Sequence, residues 1–287
     1  MKHFIVILFC LLSPFFCEAK HPLFEYEIGQ GINKSYILKS PGKKSGLFSV
    51  FTTVLGFLDF YEDEECAGIK IDFQNKGLYF DPEKGENWWS YYFHPVSFGT
   101  TDGVFLNRVP RRWKRKFTKK GGSKLSRNEA HALIAKYIHV NEDLVQDVLK
   151  FKKEYFSKNL TIGIHYRGTD KIREARRVSY EEVFEAVEQY LEHIKPSEYK
   201  IFVATDERQF LEEMKKRFKD KIIFISSYRS EDGKPVHMKY KNSYEMGRQA
   251  VLDCLLLSET HFLFRTPSNL SLCSGYFNPD LPIVDLY

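Results

Sequence analysis

Four short polar runs each follow a stretch of β-branched or aromatic residues, and they are built from the side chains that bind anions and move protons. The first is His165-Tyr166-Arg167-Gly168-Thr169-Asp170-Lys171, and the others are Thr205-Asp206-Glu207, Ser226-Ser227 and Arg265-Thr266-Pro267-Ser268-Asn269. Arginine presents a planar fork that meets phosphate oxygens in pairs, so Arg167 at a strand terminus suits a pyrophosphate. Ser268 and Asn269 precede a helical segment, and backbone N–H groups at a helix start form a second anion site. Pairing of Arg167 with Asp170 is the purely structural alternative. The chain has no Walker P-loop and no Gly-x-Gly-x-x-Gly after a strand, which removes support from ATP hydrolysis and dinucleotide redox chemistry. No His/Cys spacing matches a zinc site.

Strand ends become a site only if the strands lie in one sheet. From residue 160 onward, short apolar runs at 160–166, 200–204, 221–225, 261–264 and 282–286 alternate with amphipathic stretches of ten or more residues. That is the pattern of a parallel sheet covered by helices, and in such sheets ligands bind outside the carboxyl ends of the strands. Ser179-Tyr180-Glu181-Glu182 has the spacing of a capping box and predicts a helix toward Ile194. Further helices are expected over 207–218 and 243–258. In the first half, 46–60 carries apolar residues at helical spacing and 68–72 a strand, opening a second strand–helix system. Helices over 129–138 and 142–156, each preceded by an asparagine at the N-cap position, bridge the two. The expected organisation is a targeting segment over 1–19, an N-terminal lobe over 20–158 and a Rossmann-like lobe over 159–287. The aromatic run Asn87-Trp88-Trp89-Ser90-Tyr91-Tyr92-Phe93 is read as core ahead of a sugar-stacking platform.

Apolar residues make up 43% of the 287 and charged residues 28%, which excludes disorder for most of the chain. The basic start, the apolar run to Phe16 and Ala19 before Lys20 describe a secretory signal, or an anchor if it stays uncleaved. A cleaved signal places the protein in the secretory pathway or exports it, and an uncleaved anchor would hold it on a membrane. The remaining cysteines, Cys66, Cys254 and Cys273, are too few for a closed disulfide framework, and the latter two read as small buried hydrophobes. Sequons begin at Asn33, Asn159 and Asn269. Residues 108–127 hold ten basic side chains and no acidic one, more than the whole net charge of +5, so the remainder is net acidic. This stretch is either a solvated connection or a site for an anionic ligand, and no nucleic-acid fold signature accompanies it.

The run from His165 to Lys171 resembles the His-x-Arg-x-x-Asp-Lys motif of the α1,6-fucosyltransferase and rhizobial nodulation fucosyltransferase group. Three further segments resemble that family in order: Phe202 to Glu207 its strand ending in Thr-Asp-Asp, Ala250 to Asp253 its donor-binding helix, and Phe264 to Asn269 its serine-containing terminal loop. The resemblance covers about 160–286 and, more weakly, 46–96. It implies a metal-independent, inverting GT-B enzyme that takes fucose from GDP-fucose, with no cofactor, to a hydroxyl of a glycan or glycoprotein acceptor. It assigns Arg167 to the β-phosphate, His165 and Asp253 to guanine, Ser268 to the phosphates or ribose and Asp206 to support, with Lys171, Thr266 and Asn269 completing the donor set. The family carries a glutamate five residues after the motif aspartate, where this chain has Ala175. The expected general base is the adjacent Glu174, with Asp170 as the alternative. Protein O-fucosylation, another GDP-sugar, or a non-catalytic secreted glycan-binding protein on the same fold are the competing readings.

Overall fold

The computed structural model of the protein describes residues 26–28, 34–39, 45–63, 66–74, 77–99, 104–106, 125–168, 177–230 and 242–287. The targeting segment, the sequon at Asn33, all but the last three residues of the basic stretch, and Asp170, Lys171, Glu174 and Ala175 lie outside them.

The first five strands, β1 (Tyr26–Ile28), β2 (Lys34–Lys39), β3 (Cys66–Asp72), β4 (Ser97–Gly99) and β5 (Val104–Leu106), form one sheet in the order β4-β3-β2-β1-β5. Only β2 and β3 are parallel, and helix α1 (Leu47–Asp63) connects them. A parallel pair needs such a crossover because a hairpin cannot reverse the chain twice. Helices α2 (Arg127–Tyr137) and α3 (Glu142–Phe151) follow.

The second sheet contains β6 (Leu160–Tyr166), β7 (Tyr199–Thr205), β8 (Ile222–Ile223), β9 (Phe262–Arg265) and β10 (Ile283–Asp285), all parallel, in the order β10-β9-β6-β7-β8. Its crossovers are α4 (Tyr180–Ile194), α5 (Arg208–Phe218), α6 (Ser243–Ser258) and α7 (Asn269–Phe277). The chain starts in the middle at β6, builds outward through β7 and β8, then returns to the other side of β6 with β9. That reversal is the switch point at which a crevice opens between β6 and β9.

Alternation along the strands sorts the core. Ile201 and Val203 face α4 and α5, while Phe202 and Ala204 face the opposite layer. That layer joins the two sheets: α6 and α7 pack in one continuous cluster with α1, α2 and the first sheet. Residues Val251 to Ser258 of α6 are buried without interruption, as expected of a helix enclosed on all sides. The aromatic run is core, with Trp88, Trp89, Tyr92 and Phe93 fully buried. Cys254 and Cys273 are buried free thiols.

Several boundaries differ from expectation. The cap of α2 is Ser126, whose hydroxyl accepts the Glu129 amide while the Glu129 carboxylate accepts the Ser126 amide; Asn128 lies inside the helix. Asn141 does cap α3 by position, but its side chain donates to Ser90 O at 3.0 Å and makes no cap bond. The helix expected to reach 156 ends at Phe151 and loosens into a π-turn over Lys152–Phe156. The strand expected over 221–225 keeps only two paired residues.

Candidate active site

β6 delivers His165 and Arg167 to the crevice. In register, His165 stands beside Ala204 of β7 and Arg265 of β9. Beyond the last ladder bond, the exposed amides would lack acceptors, and side chains from both neighbouring strands take them. Arg167 N–H donates to Thr266 Oγ1 at 2.9 Å and Gly168 N–H to Asp206 Oδ1 at 3.1 Å. Thr266 is itself tied back through its amide to His165 O at 2.9 Å. The Arg167 side chain lies with Nε 4.0 Å from Asp206 Oδ2 and stays one-third exposed. Gly168 is required by close approach: a Cβ there would fall 1.8 Å from Glu207 Oε2. Glu207 is buried and bound at 3.1 Å by Arg177 Nη2, so its carboxylate has little freedom to yield.

Helix α6 supplies the facing wall. Met246, Gln249, Ala250 and Asp253 recur at helical spacing and line one cavity of about 160 Å³ with His165, Arg167, Asp206, Ser227 and Tyr228. Burial pushes the Asp253 carboxyl up to about 7, and Arg229 pulls in the opposite direction. Asp253 Oδ1 meets no hydrogen-bond partner among the described residues. The N-terminal half closes the cavity with Gly46, just before α1, and Tyr79, in a turn after β3. The Tyr79 hydroxyl accepts Leu47 N–H at 2.8 Å at the start of α1. Burial raises that hydroxyl to about 12, with Arg167 acting against the shift.

A family model described as alpha-(1,6)-fucosyltransferase N- and catalytic domains matches residues 131–273, a span running from α2 into α7. The chain belongs to the fucosyltransferase superfamily. It is therefore a glycosyltransferase, and its fold is GT-B. A crystal structure of NodZ alpha-1,6-fucosyltransferase soaked with GDP-fucose superposes with a TM-score of 0.61 at 15% identity, covering 87% of this chain and 94% of that one. The fucosyltransferase NodZ from Bradyrhizobium gives 0.59 at 16% identity with the same coverage. NodZ co-crystallized with GDP gives 0.57 at 17%, covering 88% and 94%. No curated protein matches the chain.

Within this fucosyltransferase fold, His165, Arg167, Asp206 and Asp253 meet at one cavity. Thr266 sits beneath it as a brace for the Arg167 amide. Ser268 caps α7, its hydroxyl accepting Leu270 N–H at 3.3 Å, and neither it nor Asn269, the first residue of that helix, lines the cavity. The structural alternative for Arg167 has a counterpart in Asp206, the carboxylate 4.0 Å away. A larger cavity of about 560 Å³ opens between α3 and α6. It lies away from the β6–β9 switch point and holds none of the strand-end charges, so the smaller cavity is the better active site.

Gly46, Tyr79, Tyr228, Gln249 and Arg229 were not singled out from the sequence. Gln249 was recoverable, because it stands four residues before Asp253 on one helix face. Tyr79 and Gly46 reach the site only through the docking of the first sheet, which leaves no local signal.

Proposed function

We propose that this fucosyltransferase-superfamily enzyme transfers fucose from GDP-fucose to a hydroxyl of a glycan or glycoprotein, with inversion and without a metal ion. The observation that carries the reading is the convergence of His165, Arg167, Asp206 and Asp253 on one cavity at the carboxyl ends of β6 and β7. Two of its features match a guanine nucleotide. A buried carboxylate faces the cavity, where guanine N1–H and its 2-amino group would donate to it. A one-third-exposed arginine stands at the end of β6, where a diphosphate would lie.

In the proposed reaction, a base takes the proton of the acceptor hydroxyl as its oxygen attacks the anomeric carbon from the face opposite GDP. The C–O bond to the β-phosphate breaks, and Arg167 stabilises the charge that develops on the departing diphosphate. Glu174 is assigned as base, with Asp170 as the alternative. Lys171, Ser268 and Asn269 are assigned to the diphosphate and ribose, Ser268 and Asn269 through the amides at the start of α7. NodZ has been crystallised with GDP and soaked with GDP-fucose, which supports the choice of donor. Among the described residues no helix is long and apolar enough to cross a membrane; the basic and apolar start of the chain supports export or the secretory pathway.

Calorimetric titration of the chain with GDP and with ADP, beside Arg167→Ala, tests the reading. GDP should bind, ADP should not, and Arg167→Ala should lower GDP-fucose turnover about 10²–10³-fold. A folded chain that ignores GDP would leave the fold without this donor and favour the non-catalytic glycan-binding reading raised by Ala175. Glu174→Gln with undiminished transfer would remove Glu174 as the base.

A further inference from the structure

We propose that Arg229 is a positioning residue of the donor site: its buried guanidinium braces residues 225–230 as a wall of the nucleotide cavity and supplies the cation that lets Asp253 meet guanine as a carboxylate. The inference rests on the preceding reading that this cavity takes a guanine nucleotide.

Arg229 is only 5% exposed, an unusual position for an always-charged side chain. Its fork turns inward on its own segment, with Nη1 donating to Ser227 O at 3.2 Å and Nη2 to Ile225 O at 3.0 Å, and its guanidinium lies 5.2 Å from the Phe224 ring centre. Ser227 and Tyr228, framed by those bonds, line the cavity. The segment is pinned at its far end by Ser230 N–H to Asp206 O at 2.8 Å and at its middle by Tyr228 N–H to Gln249 Oε1 at 3.3 Å. Removing Arg229 frees two carbonyls where the chain leaves β8.

A buried cation needs a buried anion. Asp253 is 9% exposed and is the anion that acts most strongly on Arg229; from α5, Glu212 also attracts it and Arg208 repels it. On the Asp253 side, Cys254 adjoins it on α6, and His165, Arg167, Asp206 and Tyr79 face the same cavity from the ends of β6 and β7 and from the turn after β3. Burial raises the Asp253 carboxyl to about 7, and the Arg229 charge pulls it back down. Guanine offers two N–H donors, which a carboxylate accepts and a neutral acid meets with one mismatched proton. GDP affinity should therefore fall as pH drops through about 7.

The test is GDP affinity between pH 5.5 and 8.5 for the wild type, Arg229→Gln, Arg229→Lys and Asp253→Asn, with and without Arg229→Gln. The GDP phosphate titrates in the same range in every variant, so the result is the difference between variants. Arg229→Gln should move the acid-side midpoint upward, costing about fivefold in affinity at pH 7 for one pH unit of movement. Arg229→Lys keeps the charge without the fork: the midpoint stays, affinity drops equally at every pH, and amide exchange across 224–230 quickens. In the Asp253→Asn background, Arg229→Gln should move no midpoint and leave only the pH-independent loss of affinity that comes with the lost brace. A wild-type midpoint in Arg229→Gln overturns the proposal while the donor site stands. If Arg229→Gln does not fold, wild-type exchange and affinity in Arg229→Lys overturn it instead. A wild type that binds no GDP at any pH takes down the donor reading, and this proposal with it.

Discussion

Arg167 owes its place less to its own contacts than to what holds the two amides at the end of β6. Thr266 accepts the Arg167 N–H and Asp206 accepts that of Gly168, one from each flanking strand. This bracing converts a frayed strand end into a fixed base for the side chain that faces the cavity. The same threonine hydroxyl lies 3.4 Å from His165 O, within donating reach. Thr266→Val keeps a similar shape but offers no acceptor, so a buried amide loses its partner at a cost of about 1–3 kcal/mol. Urea unfolding should show that loss, and GDP binding should weaken with it, whereas Thr266→Ser should retain both. A valine variant as stable as the wild type would mean that the Arg167 amide is satisfied elsewhere. Thr266 was legible as a polar residue at a strand end. Its part as a brace was not, since that depends on the His165–Arg265 register of two strands about a hundred residues apart.

Helix starts were the most legible elements, because a cap is written in four consecutive residues. Ser179 accepts the Glu182 amide at 3.3 Å and the Glu182 carboxylate accepts the Ser179 amide at 2.7 Å, as the spacing predicts for α4. Ser179→Ala should cost about 0.5–2 kcal/mol, measured as a lowered urea midpoint with unchanged slope. Retained stability would show that the box adds little to a helix already held by Val183, Phe184 and Val187. The same rule, applied to the nearest asparagine, misplaced the start of α2: Ser126 and Glu129 have the capping-box spacing, while Asn128 merely adjoins the glutamate. Strand lengths were less legible where pairing runs out. The apolar run from Ile222 to Ile225 could extend a strand, but β8 lies at the sheet edge and Arg229 takes the Ile225 carbonyl, so the chain peels away after two residues. That departure turns Ser227 and Tyr228 toward the candidate cavity, an outcome no periodicity contains.

The two sheets meet through a contact between chain segments about 150 residues apart. Tyr92, fully buried in the first half, donates to Tyr244 O at 2.8 Å at the start of α6 and stacks on the Tyr244 ring with centres 5.8 Å apart. Gly247, one turn further on, makes room: a Cβ there would fall 2.1 Å from the Tyr92 hydroxyl and 2.4 Å from its ring carbon. Because α6 also carries Gln249, Ala250 and Asp253, this docking sets their distance from Gly46 and Tyr79 across the cavity. The strand-end half of the site could therefore be read from sequence, and the half contributed by the first sheet could not. Alanine is intrinsically better than glycine in a helix by about 1 kcal/mol, so a neutral junction would make Gly247→Ala stabilising. The geometry predicts the reverse, a loss of about 1–3 kcal/mol from overpacking, together with weaker GDP binding. Tyr92→Leu should be destabilising alone, yet cost less in the Gly247→Ala background, where the new methyl occupies the vacated space. A double-mutant cycle by urea unfolding should then give a favourable coupling of about 0.5–3 kcal/mol. Strict additivity would mean that the ring and the glycine do not touch, and the alignment of the two walls of the candidate cavity would need another cause.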